Sequence, residues 1–399
     1  MRSRYIGDRA FYKRVITIVI PIIVQNGITN FVSLLDNIMV GQVGTLPMSG
    51  VSIVNQLLFV FNLCIFGATA GAGIFTAQFQ GSGDTQGIRS TFRFKMLICL
   101  GIALVGGVLF AVADTPLISP FLKGDGDPAD AAAILDYGRA YLKMMLPGLL
   151  PFAITNAYAG TLKETGETVI PMLGGIAATL VNLVLNYILI FGHFGAPEMG
   201  VEGAALATVI SRFAELAIVA GWTHRHTEKN PFIVGAYRSM AIPAGLLRSI
   251  TVKGMPLLAN ELLWSTGMTF LNQCYSTCGL DVVPALNISS TLFNLTSVVF
   301  MSMGVADGIL MGQMLGASAP EAEVRDHSRK LIAISITSGV LFGALTAALS
   351  GAFPHIYNTS YEVRALATRL ILIAALFMPF DALANAAYFI LRSGGQTYI

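Results

Sequence analysis

The chain has 399 residues, of which 54% are hydrophobic and only 12% charged, with a formal net charge of +2. That supply of polar side chains is too small to wrap a soluble protein of this length, so the composition reads as a polytopic membrane protein. The nearly balanced charge offers no basic surface, and no nucleic-acid partner is expected.

The first fourteen residues are basic and polar, and the apolar run behind them is too long for the core of a cleavable signal. Ten apolar segments then follow, at about 15–40, 50–79, 92–114, 137–161, 169–192, 201–222, 248–273, 284–315, 330–351 and 363–391. Each is long enough to cross ~30 Å of hydrocarbon at ~1.5 Å per residue. Backbone groups in lipid must bond within their own segment, so these are read as helices. Lys and Arg fix an orientation. With the N-terminus inside, Arg2 to Arg14, Arg89, Arg93, Lys95, Lys163, the 225–253 group, Arg325 to Lys330 and Arg392 are all cytoplasmic. Lys123, Arg139, Lys143, Arg364 and Arg369 alone fall at outer ends, which predicts a multi-pass inner (plasma) membrane protein with a cytoplasmic N-terminus.

No G-x-x-x-x-G-K-[ST] occurs, and all five histidines lie in loops or at helix ends. Neither an ATP-driven pump nor a membrane-embedded histidine enzyme is expected, and no resident cofactor is implied. Cys274 and Cys278 share a helical face, but small buried hydrophobes is the simpler reading of all four cysteines.

Laying Pro21 over Pro256, an offset of 235, keeps register for about sixty residues. Asn37 then falls on Asn272, Gly44 on Gly279, and GIFTAQFQG (Gly73–Gly81) on GILMGQMLG (Gly308–Gly316). Later LKETGET (Leu162–Thr168) meets LRSGGQT (Leu391–Thr397). Equivalent positions are six helices apart, so both halves insert the same way up, as a parallel repeat about an axis along the membrane normal. The expected fold class is all-α polytopic. It comprises two homologous six-helix bundles, the second present only through its fourth helix, with ten helices in this chain and twelve in the natural protein. The expected divisions are an N-terminal bundle at 1–222, a cytoplasmic linker at 223–246 and a C-terminal bundle at 247–399.

Acids inside apolar segments are costly and mark function by default. They are Asp36, Glu215, Glu261, Asp307 and Asp381. Glu215 follows Arg212 by three residues on one helical face, which suggests a structural pair. The other four have no basic residue within a turn. Asp381 lies about ten residues, or ~15 Å, before Arg392, near mid-membrane. Glu261 lies at similar depth, Asp36 near the outer end of its segment, and Asp307 nearer the inner end, where a structural role competes. In the repeat register Asp36 meets Leu271, Glu261 meets Asn26 and Asp307 meets Ala72, so the two halves carry different chemistry. Asn182 and Asn186 are an i, i+4 pair, and Asn260 precedes Glu261. Interhelical hydrogen bonding is one reading of these amides, and oxygen ligands for a hard cation the other.

The pieces LLDNIMVGQVG, LKETGETVIPM, LNYILIFGHFGAPEMGVEGAALATVISR, MPLLANELLWSTGM and LRSGGQT resemble the multidrug and toxic compound extrusion (MATE) family, in its bacterial NorM/DinF-like branch. The resemblance runs the whole length of the chain. It implies a secondary antiporter in which H⁺ or Na⁺ enters while an organic, often cationic, drug or metabolite leaves by alternating access. By resemblance Asp36 matches the acid of helix 1, Asp381 that of helix 10 and Asn182 an amide of helix 5. Glu261 resembles the helix 7 acid, about one turn nearer its proline, and Asn186 stands where some members carry aspartate. The implied ion-coupling and substrate-binding set is therefore Asp36, Glu261, Asp381, Asn182, Asn186, Asn260 and Asp307, with Na⁺, where it is the ion, at Asp36 or at Glu261/Asp381. The implied partners are a small organic substrate and membrane lipid, with a monomer as the expected state. The alternative is a lipid-linked oligosaccharide flippase of related architecture, which would want arginines at depth; only Arg212 lies there.

Overall fold

The structure, a computed structural model, describes residues 5–122, 128–276, 282–357 and 359–397, except the side chains at 33, 34, 37, 38, 269, 272, 273 and 276. Lys123, Cys278 and Gly279, and the side chains of Asn37 and Asn272, therefore lie outside the described residues. In chain order the helices are α1 (Arg9–Gly41), α2 (Thr45–Ser82), α3 (Thr85–Val112), the short α4 (Asp114–Ile118), α5 (Pro128–Met145), α6 (Leu149–Glu164), α7 (Val169–Phe191), α8 (Gly200–Arg225), α9 (Ala244–Ser276), α10 (Val282–Gly316), α11 (Glu321–Leu349) and α12 (Tyr361–Ser393). Among the described residues eight are long and apolar enough to cross a membrane: α1 over Arg9–Val32, α2, α3, α7, α8, α10, α11 and α12. The chain is thus an all-α polytopic membrane protein.

Local chemistry sets the helix ends. Asp8 Oδ1 accepts from the Phe11 N–H at 2.8 Å at the start of α1, and Ser360 Oγ accepts from Val363 N–H at 3.3 Å at the start of α12. α7 stops at Gly192, whose φ of 70° is the left-handed cap that glycine adopts without strain. The apolar stretch 137–161 is not one helix. A 3₁₀ turn at Leu146–Gly148, around Pro147, divides α5 from α6, because proline has no N–H to give the helical ladder.

The helices form two compact units. One, here the N-terminal unit, comprises Ile28–Thr76 and Thr85–Gly254. Its helices approach closely at glycines: a Cβ at Gly203 of α8 would stand 2.6 Å from the Leu189 carbonyl oxygen of α7, and one at Gly174 would stand 2.7 Å from Val219. Within α3, Lys95 is fully buried, pairs with Glu164 of α6 and donates to Thr161 Oγ1 at 3.3 Å.

The polar stretch after α8 is fastened to the same unit. Arg89 donates through Nε to Phe232 O at 3.1 Å and through Nη2 to Pro231 O at 3.2 Å. Arg93 donates to Ala236 O at 2.8 Å, Gly235 O at 3.0 Å and Ala241 O at 3.3 Å. Beneath these bonds Phe92 packs on Tyr158 and Phe232, with ring centroids 5.0 and 5.4 Å apart. Tyr158 Oη meets His224 Nε2 at 2.9 Å and bonds the Tyr237 hydroxyl.

The C-terminal unit comprises Met1–Gly27, Ala77–Asp84 and Met255–Ile399. Its core joins Val15, Ile18, Val19 and Ile22 of α1 to Met303, Ala306, Leu310 and Met311 of α10 and Leu331 of α11. A Cβ at Gly339 of α11 would lie 2.9 Å from Met378 O of α12, so these two helices touch backbone to backbone. The end of α2 meets the end of α10 in a reciprocal way. The Gln313 carbonyl lies against Gly81, and the Gln78 carbonyl lies against Gly316, each so close that any Cβ would collide.

Candidate functional site

Within the N-terminal unit, α1 and α7 bring three of the expected residues together. Asn186 Nδ2 donates to Asp36 Oδ1 at 2.7 Å and, only when the Asn182 amide turns its oxygen this way, to Asn182 Oδ1 at 3.2 Å. The i, i+4 spacing on α7 stacks the two amides one turn apart on the face turned to Asp36. Asp36 is half-buried, whereas Asn182 and Asn186 are 7% and 1% exposed.

The Asn182 amide is suited to either charge state of the acid. With Nδ2 toward Asp36 it donates to Oδ2 at 2.9 Å and Oδ1 at 3.0 Å, while its own oxygen accepts from Thr208 Oγ1 at 3.1 Å and Thr208 N at 3.3 Å. Turned over, Nδ2 donates to Thr208 Oγ1 at 3.1 Å and the amide oxygen faces the carboxyl. An ionised carboxylate accepts only and favours the first arrangement; a protonated one donates and favours the second. A cation at Asp36 would also favour the second, and Asn186 Oδ1, buried and without a hydrogen-bond partner, adds another oxygen of the kind hard cations take. The donor set therefore suits a proton or a hard cation such as Na⁺.

Two further groups lie near this cluster, of which Tyr141 carries no signal in the sequence. Buried Tyr141 of α5 lies within electrostatic reach of both Asp36 and Arg212. Arg212 of α8 donates to Gly148 O at 3.2 Å, and its guanidinium stands 4.8 Å from the centroid of the Phe152 ring. Glu215 lies within electrostatic reach of Lys163 of α6 as well as of Arg212. Thr208 is one of several threonines in apolar runs, and only its position opposite Asn182 singles it out.

The remaining candidates do not join the Asp36 cluster. Glu261 of α9 is half-buried and lies within electrostatic reach of Arg392, which stacks over Phe389 at 5.3 Å. Asn260 and Asp381 are exposed. Asp307 of α10 is fully buried, and its Oδ2 accepts from Ser335 Oγ of α11 at 3.1 Å. Among the described residues no three His, Cys, Asp or Glu side chains gather as a metal site. Outside the spanning helices, Arg139 Nε donates to Asp114 Oδ2 at 2.9 Å. That bond, helped by Thr115, holds the Asp114 carboxyl below the usual carboxylate range.

A half-buried carboxyl met by two amides, in a fold of long apolar helices, suits a membrane transporter. The sequence model of the MatE family matches residues 21–188 and 256–399, and the chain belongs to that family. The probable multidrug resistance protein NorM of Thermotoga maritima is 24% identical over 398 residues, a match covering 96% of this chain and 80% of that protein. The multidrug resistance protein MdtK of Edwardsiella ictaluri is 26% identical, with 96% of this chain and 82% of that protein covered. The fold is similar to that of the Vibrio cholerae MATE transporter VcmN in the bent form, with a TM-score of 0.83 at 19% identity over 98% of this chain and 85% of that one.

Proposed function

We propose that the chain is a cation-coupled secondary antiporter of the inner membrane, exporting organic, mainly cationic, drugs or metabolites by alternating access while H⁺ or Na⁺ enters. The names of the NorM and MdtK relatives support drug export. The observation that carries ion coupling is the Asp36 carboxyl held by the Asn186 amide at 2.7 Å, beside an Asn182 amide able to serve both of its charge states. Binding an ion there changes which partners are satisfied on α1 and α7, and so biases the conformational equilibrium of the unit. Glu261 and Asp381 form a second candidate for ion binding or substrate contact in the C-terminal unit.

The same reading includes ten spanning helices, a cytoplasmic N-terminus, a monomeric state and the parallel repeat. Support for the repeat comes from the α2–α10 crossing, where Gly81 and Gln78 meet Gln313 and Gly316, positions related by the offset of 235. A reciprocal contact of that kind is what a two-fold relation between equivalent segments produces. The flippase alternative draws little from the structure, since Arg212 is already engaged by Gly148 and Phe152.

The test is dye efflux by the purified chain in proteoliposomes, under an imposed Na⁺ or pH gradient applied separately. Efflux driven by one gradient and lost in Asp36→Asn is the expected result. Full gradient-driven efflux in Asp36→Asn, Glu261→Gln and Asp381→Asn alike would overturn the coupling scheme.

A further inference from the structure

The Asp36 cluster leaves one deeply buried acid unused. Asp307 is 0% exposed. Its Oδ2 accepts a single hydrogen bond, from Ser335 Oγ at 3.1 Å, and its Oδ1 has no hydrogen-bond partner among the described residues. Met303, Leu310 and Met311, one helical turn away on either side, belong to the apolar core shared with α1 and α11.

Charged side chains on the helices around it are turned elsewhere. Arg14 of α1 donates to Gln313 at 3.0 Å. Lys330 of α11 pairs with Asp326 and lies 5.9 Å from the Phe11 ring centroid. Arg392 of α12 lies over Tyr388 and Phe389, and Asp381 is exposed. Among the described residues Asp307 forms no ion pair, and Ser335 is its hydrogen-bond partner.

A carboxylate in such a place is costly to ionise, because one hydroxyl donor does not replace its hydration. A hard cation would gather about six oxygen ligands, and the side chains here supply one carboxyl and one hydroxyl against thioether and aliphatic neighbours. A proton needs only one oxygen. We propose that Asp307 is a proton-binding site of the C-terminal unit, separate from Asp36, and that it releases its proton only when α10 and α11 part at Ser335 and water reaches Oδ1. The site's use in transport rests on the antiporter reading; its existence does not. The repeat register places Ala72 at the equivalent position of the other half, so the site is particular to this side of the molecule.

The test is infrared difference spectroscopy of the full chain in lipid nanodiscs, in Na⁺-free buffer across a pH series, alongside efflux in proteoliposomes. A carbonyl-stretch band of a protonated carboxylic acid is expected near neutral pH. It should vanish in Asp307→Asn, persist in Asp36→Asn, and move to higher frequency without vanishing in Ser335→Ala, which removes the hydrogen bond to the carboxyl oxygen. The Ser335→Ala shift decides the matter if Asp307→Asn does not fold. An unchanged spectrum in both the Asp307 and the Ser335 variants would overturn the proposal. So would loss of the band on adding Na⁺ at constant pH, which assigns the site to a cation. Failure of every variant and of the unmodified chain to export dye would overturn the antiporter reading while leaving the band as evidence for the site.

Discussion

At the scale of single residues, the candidate site is a matter of who satisfies whom. Asp36 accepts from Asn186 at 2.7 Å, and replacing the acid by asparagine keeps the shape but removes the charge that changes with ion binding. Asp36→Asn is expected to lower gradient-driven efflux at least tenfold, equivalent to about 1.4 kcal/mol of lost coupling, while leaving expression near normal; efflux assays in proteoliposomes check this. Asn182→Leu removes an amide placed to serve both states of Asp36, and the pH or Na⁺ dependence of efflux should flatten. A second residue-scale prediction concerns Asp114. Its folded carboxyl is depressed by the Arg139 bond, so the pair adds stability above the unfolded value, near pH 4, and loses it as pH falls through the lower folded value. Arg139 is 37% exposed in its side chain, so the effect is about 0.5–1 kcal/mol. Thermal unfolding of Asp114→Asn in detergent should show that deficit at pH 7 and none near pH 2.

Residue identity was readable in part. Charge inside apolar runs singles out from sequence the acids placed within helices, buried Asp307 among them, and the family resemblance points to Asn182 and Asn186. The partners were not readable, because they are distant in the chain: Asp36 and Asn186 are 150 residues apart, and Asp307 and Ser335 are 28 apart on different helices. A serine in ISITSG looks like any other until a carboxyl is found across from it.

At the scale of elements, apolarity and helix length place every expected segment on helical backbone, with ends extended by a few residues where polar turns continue the ladder. The exception, 137–161, shows what a hydropathy reading omits: it registers apolar content, whereas the missing N–H of Pro147 interrupts the bonding. Contacts between elements depend on small residues more than on apolar ones. Gly81 and Gly316 admit the opposing Gln313 and Gln78 carbonyls where no Cβ fits. Gly81→Val and Gly316→Val should therefore separate the ends of α2 and α10 and sharply lower the yield of monodisperse protein on gel filtration. Gly101→Val, at a position with open space, should leave that yield unchanged.

At the scale of the whole molecule, the stretch from Thr223 to Ser239 reads from composition as a polar hinge. In the structure it is part of the N-terminal unit, held by Arg89 and Arg93 and by the Phe92–Tyr158–Tyr237 cluster. Nothing in the sequence announces this, since arginines at a helix end are what the expected orientation alone would place there. Arg93→Ala should loosen the backbone around the already exposed Arg225, Lys229 and Arg238, and limited tryptic digestion should cut the variant several-fold faster than the unmodified chain.

The two arginines grip main-chain carbonyls at residues 231, 232, 235, 236 and 241 and leave most of the side chains there uninvolved. A fastening made to the peptide backbone is indifferent to what that backbone carries. The stitched stretch is thus free to accept new surface chemistry, such as an epitope or a fluorophore, at exposed positions such as Val234 and Ser239 while the buried Phe232, Ile233 and Ala236 are kept, and its two guanidinium anchors have no substitute. Lysine, a point donor, cannot span the three carbonyls that Arg93 reaches at once.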